Sequence, residues 1–384
     1  MTRSARGLSI VAALFLASCS DPDNVPETHI STTPEKSAPS TADIGRDPLK
    51  NAYFGDLHVH TSWSADAYAG GNRLGPNSAY RFARGEKVTL MNGVETQLET
   101  PLDFVALTDH AENFDILLQC TIPGKPEFDT EQCRAWRTGE ISVDQMLESA
   151  FERGTARPAP RDPVLCADED HCLANARDTW QRVQDAANAF NDPGSFTTLI
   201  GYEFSSLLPD FGMLHRNVIF RGEDVVPHAI SSNDVKNQKD FFAQLDATCQ
   251  APCEVLTIPH NTNFSWGMTF SRTDEDGSAY ADEDLKRRSR IERLFEITQQ
   301  KGNSECQLMV GASDEDCNFE IIYPPCEEGQ TTKCAKPASF YRNAMLDGLA
   351  LGVERGRNPQ KLGAIGSTDT HGSDPGNSRP GIPP

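Results

Sequence analysis

The feature that most limits what this chain can fold into is a repeated pairing, in which short apolar runs able to form strands lead into imidazoles or carboxylates. The first run is Tyr53-Phe54-Gly55-Asp56-Leu57-His58-Val59-His60. Side chains on a strand repeat every second residue, so His58 and His60 share a face and make the two jaws of a metal clamp. Residues 102–107 lead into Thr108-Asp109-His110, residues 196–202 into Glu203, residues 254–258 into Pro259-His260, and residues 362–367 into Thr368-Asp369-Thr370-His371. His215 lies within the apolar run 213–220, Glu296 within 294–297, and Asp66 in the polar loop 62–71.

Between these runs the apolar residues recur at helical spacing. The spacing predicts helices over 77–85, 143–153, 172–190, 235–245, 282–293 and 339–352. Alternating strands and helices predict an α/β fold with a parallel sheet or barrel, and such a barrel places its active site at the downstream strand ends. Six of the nine histidines fall at these ends or beside them. A single buried His is most often a satisfied core residue. Six of them, joined by Asp66, Glu203 and Asp369, form a ligand set that suits zinc, iron or manganese.

The chain also reads as exported. Arg3 and Arg6 precede a short apolar stretch, residues 8–16, which is too short to span a bilayer and ends in Leu16-Ala17-Ser18-Cys19. That ending resembles a lipobox, so residues 1–19 are expected to be a lipoprotein-type signal with Cys19 as the lipid anchor to the cell-envelope membrane. Residues 20–47, rich in Pro, Ser, Thr and Asp, read as a disordered tether, and residues 48–384 as the folded domain. Setting Cys19 aside leaves ten of the 11 cysteines, an even number that suits disulfides in an oxidising compartment. Proximity pairs Cys120 with Cys133, Cys166 with Cys172, Cys249 with Cys253 and Cys326 with Cys334, leaving Cys306 and Cys317. Thiolate metal ligation is the competing use. The net charge of −21 argues against a nucleic-acid surface.

The ordered motifs resemble the PHP (polymerase and histidinol phosphatase) superfamily of metal-dependent phosphoesterases. YFGDLHVHTSWSADAY, LDFVALTDHAEN, LIGYEF, LHRNVIFR and GSTDTHG look like a branch of exported PHP-like domain proteins, over about residues 50–375. The resemblance implies a distorted (β/α)7 barrel with disulfide-bearing loop insertions and two or three divalent ions. His58, His60, Glu203 and Asp369 would hold the first ion. Glu203 would bridge to a second, held by His215 and His260, while Asp66, His110 and His371 would hold a third. Asp66 stands where many relatives have His, and a carboxylate is chemically acceptable there. Proteins of this kind generally run further past the last motif than Pro384, which reads as a C-terminal truncation or a different barrel closure.

The expected function is hydrolysis of a small-molecule phosphoester by a water shared between two cations. Glu203 is the central catalytic residue in this expectation. Asp109 is expected to orient a ligand imidazole, and Arg216 to take a phosphate oxygen, although strand alternation points Arg216 away from His215. An amidohydrolase is the alternative enzyme, disfavoured because no strand-end Lys is evident as a bridging carbamate. A non-catalytic exported metal-binding module is the other alternative.

Overall fold

A computed structural model describes residues 50–140 and 155–377. The signal, the tether, Cys19, the expected helix at 143–153 and the last residues lie outside the described residues.

Strand β1 (Gly55–Asp56) is followed by a small antiparallel pair, β2 (Val88–Thr89) and β3 (Glu95–Thr96). Strand β4 (Phe104–Ala106) lies between β1 and β5 (Thr197–Leu199), parallel to both. Next come β6 (Gly201–Leu208), β7 (Gly212–Phe220) and β8 (Val255–His260), an antiparallel sheet in that order. In the last sheet β9 (Leu294–Gln299) is flanked by β10 (Gly302–Asn303), antiparallel, and β11 (Gly363–Gly366), parallel.

The fold is therefore mixed α/β, as expected, but among the described residues the ladders make separate sheets and no closed barrel. The purely parallel arrangement is corrected at β6, β7 and β8. Only Pro209–Phe211 separates β6 from β7, far fewer than the dozen or so residues a parallel crossover needs, so the two form a hairpin. As a result Glu203 is the third residue of β6 and His215 lies inside β7, neither at a downstream end. Isolated parallel bridges join neighbouring sheets at Val59 and Thr370, His110 and Glu203, and Thr257 and Glu292.

Capping residues explain where the helices begin. Helix Glu169–Phe190 starts before the expected residue 172 because Asp168 accepts from the His171 amide at 3.2 Å. Helix Gln238–Thr248 starts later than residue 235 because Asn237 caps it, accepting from the Asp240 amide at 2.9 Å. The long helix buries Cys172, Thr179, Trp180, Val183 and Ala187, of which Trp180, Val183 and Ala187 follow one another by three and four residues along one stripe. That stripe meets Tyr202, Phe220 and Phe241 in the largest core cluster, on the side of the sheets away from the histidines.

All ten remaining cysteines are paired: Cys120–Cys133, Cys166–Cys172, Cys249–Cys253, Cys306–Cys317 and Cys326–Cys334. Proximity pairing is correct, the two left over join each other, and the five bonds fit an oxidising compartment. Asp115, Cys166 and Cys172 cluster closely, but the sulfurs are bonded to each other and Asp115 pairs with Arg161 at 2.7 Å. Among the described residues no helix is long and apolar enough to cross a membrane.

Trp180 anchors the core: it is 1% exposed, its indole N–H donates to the Val226 carbonyl at 2.8 Å, and its ring meets Tyr202 edge-on. Trp180→Ala is expected to lower unfolding free energy by about 3–5 kcal/mol, read as a lower urea midpoint at unchanged slope.

Candidate metal centre

The two ends of the domain meet at the site. The Asp369 amide donates to the His58 carbonyl at 3.0 Å and the His60 amide to the Thr370 carbonyl at 2.8 Å, so the His-x-His and Asp-x-His segments lie side by side. Asp56 fastens this junction from below. Its carboxylate accepts from Thr368 Oγ1 at 2.6 Å, the Gly376 amide at 2.9 Å and the His58 amide at 3.2 Å. Asp369 itself takes a left-handed backbone conformation, φ 55°, which Asp tolerates better than most residues.

At this junction four side chains converge. His58 Nε2 and His60 Nε2 are 3.3 Å apart, and each is 3.1 Å from Glu203 Oε2. Asp369 Oδ1 is 3.1 Å from the first nitrogen and 3.2 Å from the second. Four ligands at roughly 2.0 Å from a tetrahedral ion would be about 3.3 Å from one another. The measured edges fit that figure. The Nδ1 atoms are already engaged, His58 with Glu296 at 3.1 Å and His60 with Ser64 Oγ at 2.8 Å. A carboxylate can only accept, so Nδ1 of His58 donates to Glu296, and Nε2 is the nitrogen that would offer its lone pair to an ion.

Glu203 also faces the opposite way. Its Oε1 is 2.7 Å from His215 Nδ1 and 3.2 Å from His260 Nε2, a second group that could hold an ion. His215 and His260 are directly paired across β7 and β8, which is why residues 45 positions apart present imidazoles to one carboxylate oxygen. In a third group Asp66 Oδ2 is 2.9 Å from His371 Nε2 and 3.1 Å from His110 Nε2, with His60 close by. Every expected metal ligand thus falls in one of three adjoining groups.

Burial disfavours charge on these carboxylates, yet the imidazoles around them outweigh it. Glu203, facing His110, His260 and His215, is held well below the usual carboxylate range, as is Asp66 beside His110 and His371. Asp369 is likewise held well below by His58 and Lys301. In return Glu203 and Asp66 overcome the burial of His110 and lift it to about 10, whereas burial and the neighbouring His58 push His260 down to about 4. The carboxylates stay ionised, and a divalent cation could satisfy them together with imidazole lone pairs in place of protons.

Asp109 and Arg216 are placed differently from expectation. Among the described residues Asp109 has no hydrogen bond to an imidazole; it accepts from the Thr61 amide at 2.6 Å and Thr61 Oγ1 at 2.8 Å, fixing the turn that follows His60. Arg216 is corrected. Strand alternation turns it to the opposite face from His215, where it is fully buried, its Nε donating to Glu292 at 2.8 Å and its Nη2 to Gln238, out of reach of any substrate. Asn263 holds the Lys301 carbonyl at 3.0 Å, and Trp266 packs with Leu208 and Leu214. His171 pairs with Glu127 at 2.5 Å on the surface.

Four residues beyond the sequence expectation shape the site: Asp56, Ser64, Ser205 and Lys301. Ser205 Oγ is 2.6 Å from His110 Nδ1 and donates to Glu203 Oε1 at 3.1 Å. Ser205 could have been found by period-two spacing from Glu203, and Ser64 by its place four residues past His60. Lys301 pairs with Asp369 Oδ2 from the hairpin after β9, a position with no strand-end signature.

Glu296→Gln keeps the shape but weakens the anchor on His58 Nδ1. Metal affinity, measured by competition with a chromogenic chelator, is expected to fall roughly 10- to 100-fold with the thermal midpoint of the metal-free protein little changed.

No curated protein and no solved structure matches this sequence. Residues 47–379 match the model of a family described as "Protein of unknown function (DUF3604)", a span that contains every residue of the three groups. The chain belongs to the DUF3604 family.

Proposed function

We propose that this protein is a metal-dependent hydrolase of phosphoester bonds, a phosphomonoesterase or phosphodiesterase acting on a small-molecule substrate. One observation carries the reading: the two oxygens of buried Glu203 face two separate histidine pairs, the arrangement of a carboxylate shared between two ions. Zinc, iron or manganese suits the imidazole and carboxylate donors, with two ions in the groups around Glu203 and a third at Asp66, His110 and His371. Bound there, paired cations supply an activated water and a clamp for phosphoryl oxygens.

The chain's own part is positioning. Glu203 sets the spacing between the two groups, and Glu296 and Ser64 fix the imidazoles of the first. Asp109 holds the turn that keeps His60 in place. No protein nucleophile is needed. The isolated bridges extend the sheets in the cyclic order β1, β4, β6, β7, β8, β9, β11, and this supports a distorted seven-stranded barrel of the PHP type. The five disulfides support function in the cell envelope, with Cys19 as the proposed lipid anchor.

An amidohydrolase is the weaker reading, because the shared position is filled by Glu203 while Lys301 binds the outer oxygen of Asp369. A module that only stores metal is weaker too, since two shared groups exceed what one structural ion needs.

Glu203→Ala and His58→Ala are expected to lose bound metal, measured by elemental analysis, and to lose phosphoester hydrolysis by more than the roughly 100-fold that removal of an outer partner can cause. Full activity in either variant refutes the proposal. Wild-type turnover of amides or lactones, with none of phosphoesters, reassigns it to amide chemistry.

A further inference from the structure

Lys301 is placed with more care than a surface lysine. Its amide donates to Gln299 Oε1, and its carbonyl accepts from Asn263 Nδ2 at 3.0 Å. Next to it Gly302 has φ +92°, and a Cβ there would stand 2.7 Å from the Glu320 carbonyl, so the hairpin tip has one shape only. Gln300, the preceding residue, donates to the Asp369 carbonyl and lies 3.2 Å from His371 Nδ1. The tip is thereby docked on the closing Asp-x-His segment.

The side chain spans from the interior to the mouth of the site. Asp369 is fully buried, whereas Lys301 is 30% exposed, in line with Asp66 at 24%, His371 at 26% and His110 at 15%. The first and second groups around Glu203 are at most 8% exposed, so the more open side of the site is the Asp66 group, close enough to Lys301 for its charge to act on the ammonium. Its ammonium carries three donors, and among the described residues Asp369 Oδ2 takes one, which leaves two for an incoming ligand. Oδ1 of Asp369 faces the two histidines, so one carboxylate links the first group to the cation.

We infer that Lys301 is the residue that binds the anionic group of the substrate at the mouth, an oxygen of a phosphate monoester or diester. The inference rests on the phosphoesterase reading for the identity of the anion, but the cation and its position do not depend on turnover. Lys301 binds and orients the anion toward the residue groups that would hold the ions, and it forms no covalent bond.

The test uses the full chain loaded with whichever of zinc, iron or manganese it retains, titrated with inorganic phosphate by calorimetry. Lys301→Met is expected to weaken phosphate binding about 10-fold or more at unchanged metal stoichiometry, the loss of one charge-assisted hydrogen bond, while Lys301→Arg keeps most of the affinity. Unchanged phosphate affinity in Lys301→Met overturns the inference. So does loss of metal in both variants, which would make Lys301 only a counter-ion for Asp369, and so does a wild type that binds no phosphate. If wild type binds phosphate through Lys301 yet hydrolyses no phosphoester, the anion site stands and the phosphoesterase reading falls.

Discussion

The structure depends on keeping one carboxylate, Glu203, ionised in the interior. It is 1% exposed, and an isolated buried carboxylate would cost several kcal/mol after relaxation. Imidazoles on both sides offset that cost, and each needs its own support. Glu296 holds His58, Ser64 holds His60, and Ser205 spans His110 and Glu203. Replacing Glu203 with an apolar residue would leave several buried imidazoles with no acceptor between them, so the polar network is all or nothing.

That network explains the sheets. β6, β7 and β8 pair antiparallel with His215 directly opposite His260 and Ser205 opposite His215, a register that places ligand, ligand and support on adjacent strands. A one-residue slip of β7 would exchange His215 for Arg216 or Leu214 and turn the wrong face inward. Arg216 is held on the far face by Glu292, which also receives Arg288 at 2.6 Å, so a second buried ion network guards the register from behind.

Much of the site was legible in the sequence because metal ligands obey short-range rules. Two residues apart on a strand means one face, and this alone paired His58 with His60. The disulfides were legible because each closes a loop of 4–13 residues, where proximity in sequence dictates proximity in space. Strand direction was not, since β8 returns antiparallel although a helix separates it from β7, and nothing in the residues of β8 marks its direction. Lys301 was hidden for a related reason. It reaches the site from a hairpin whose position is set by contacts with Asp369 and Asn263, long-range facts with no local pattern.

The junction fastened by Asp56 has a consequence for the order of assembly. Asp56 belongs to the opening strand and its partners Thr368 and Gly376 lie more than 300 residues later, so synthesis must reach that segment before the first group can gain Asp369. Each disulfide, by contrast, can form as soon as its own short loop emerges. Covalent stapling can therefore precede completion of the ligand set. Until Asp369 has joined them, His58 and His60 stand without the carboxylate that completes their group.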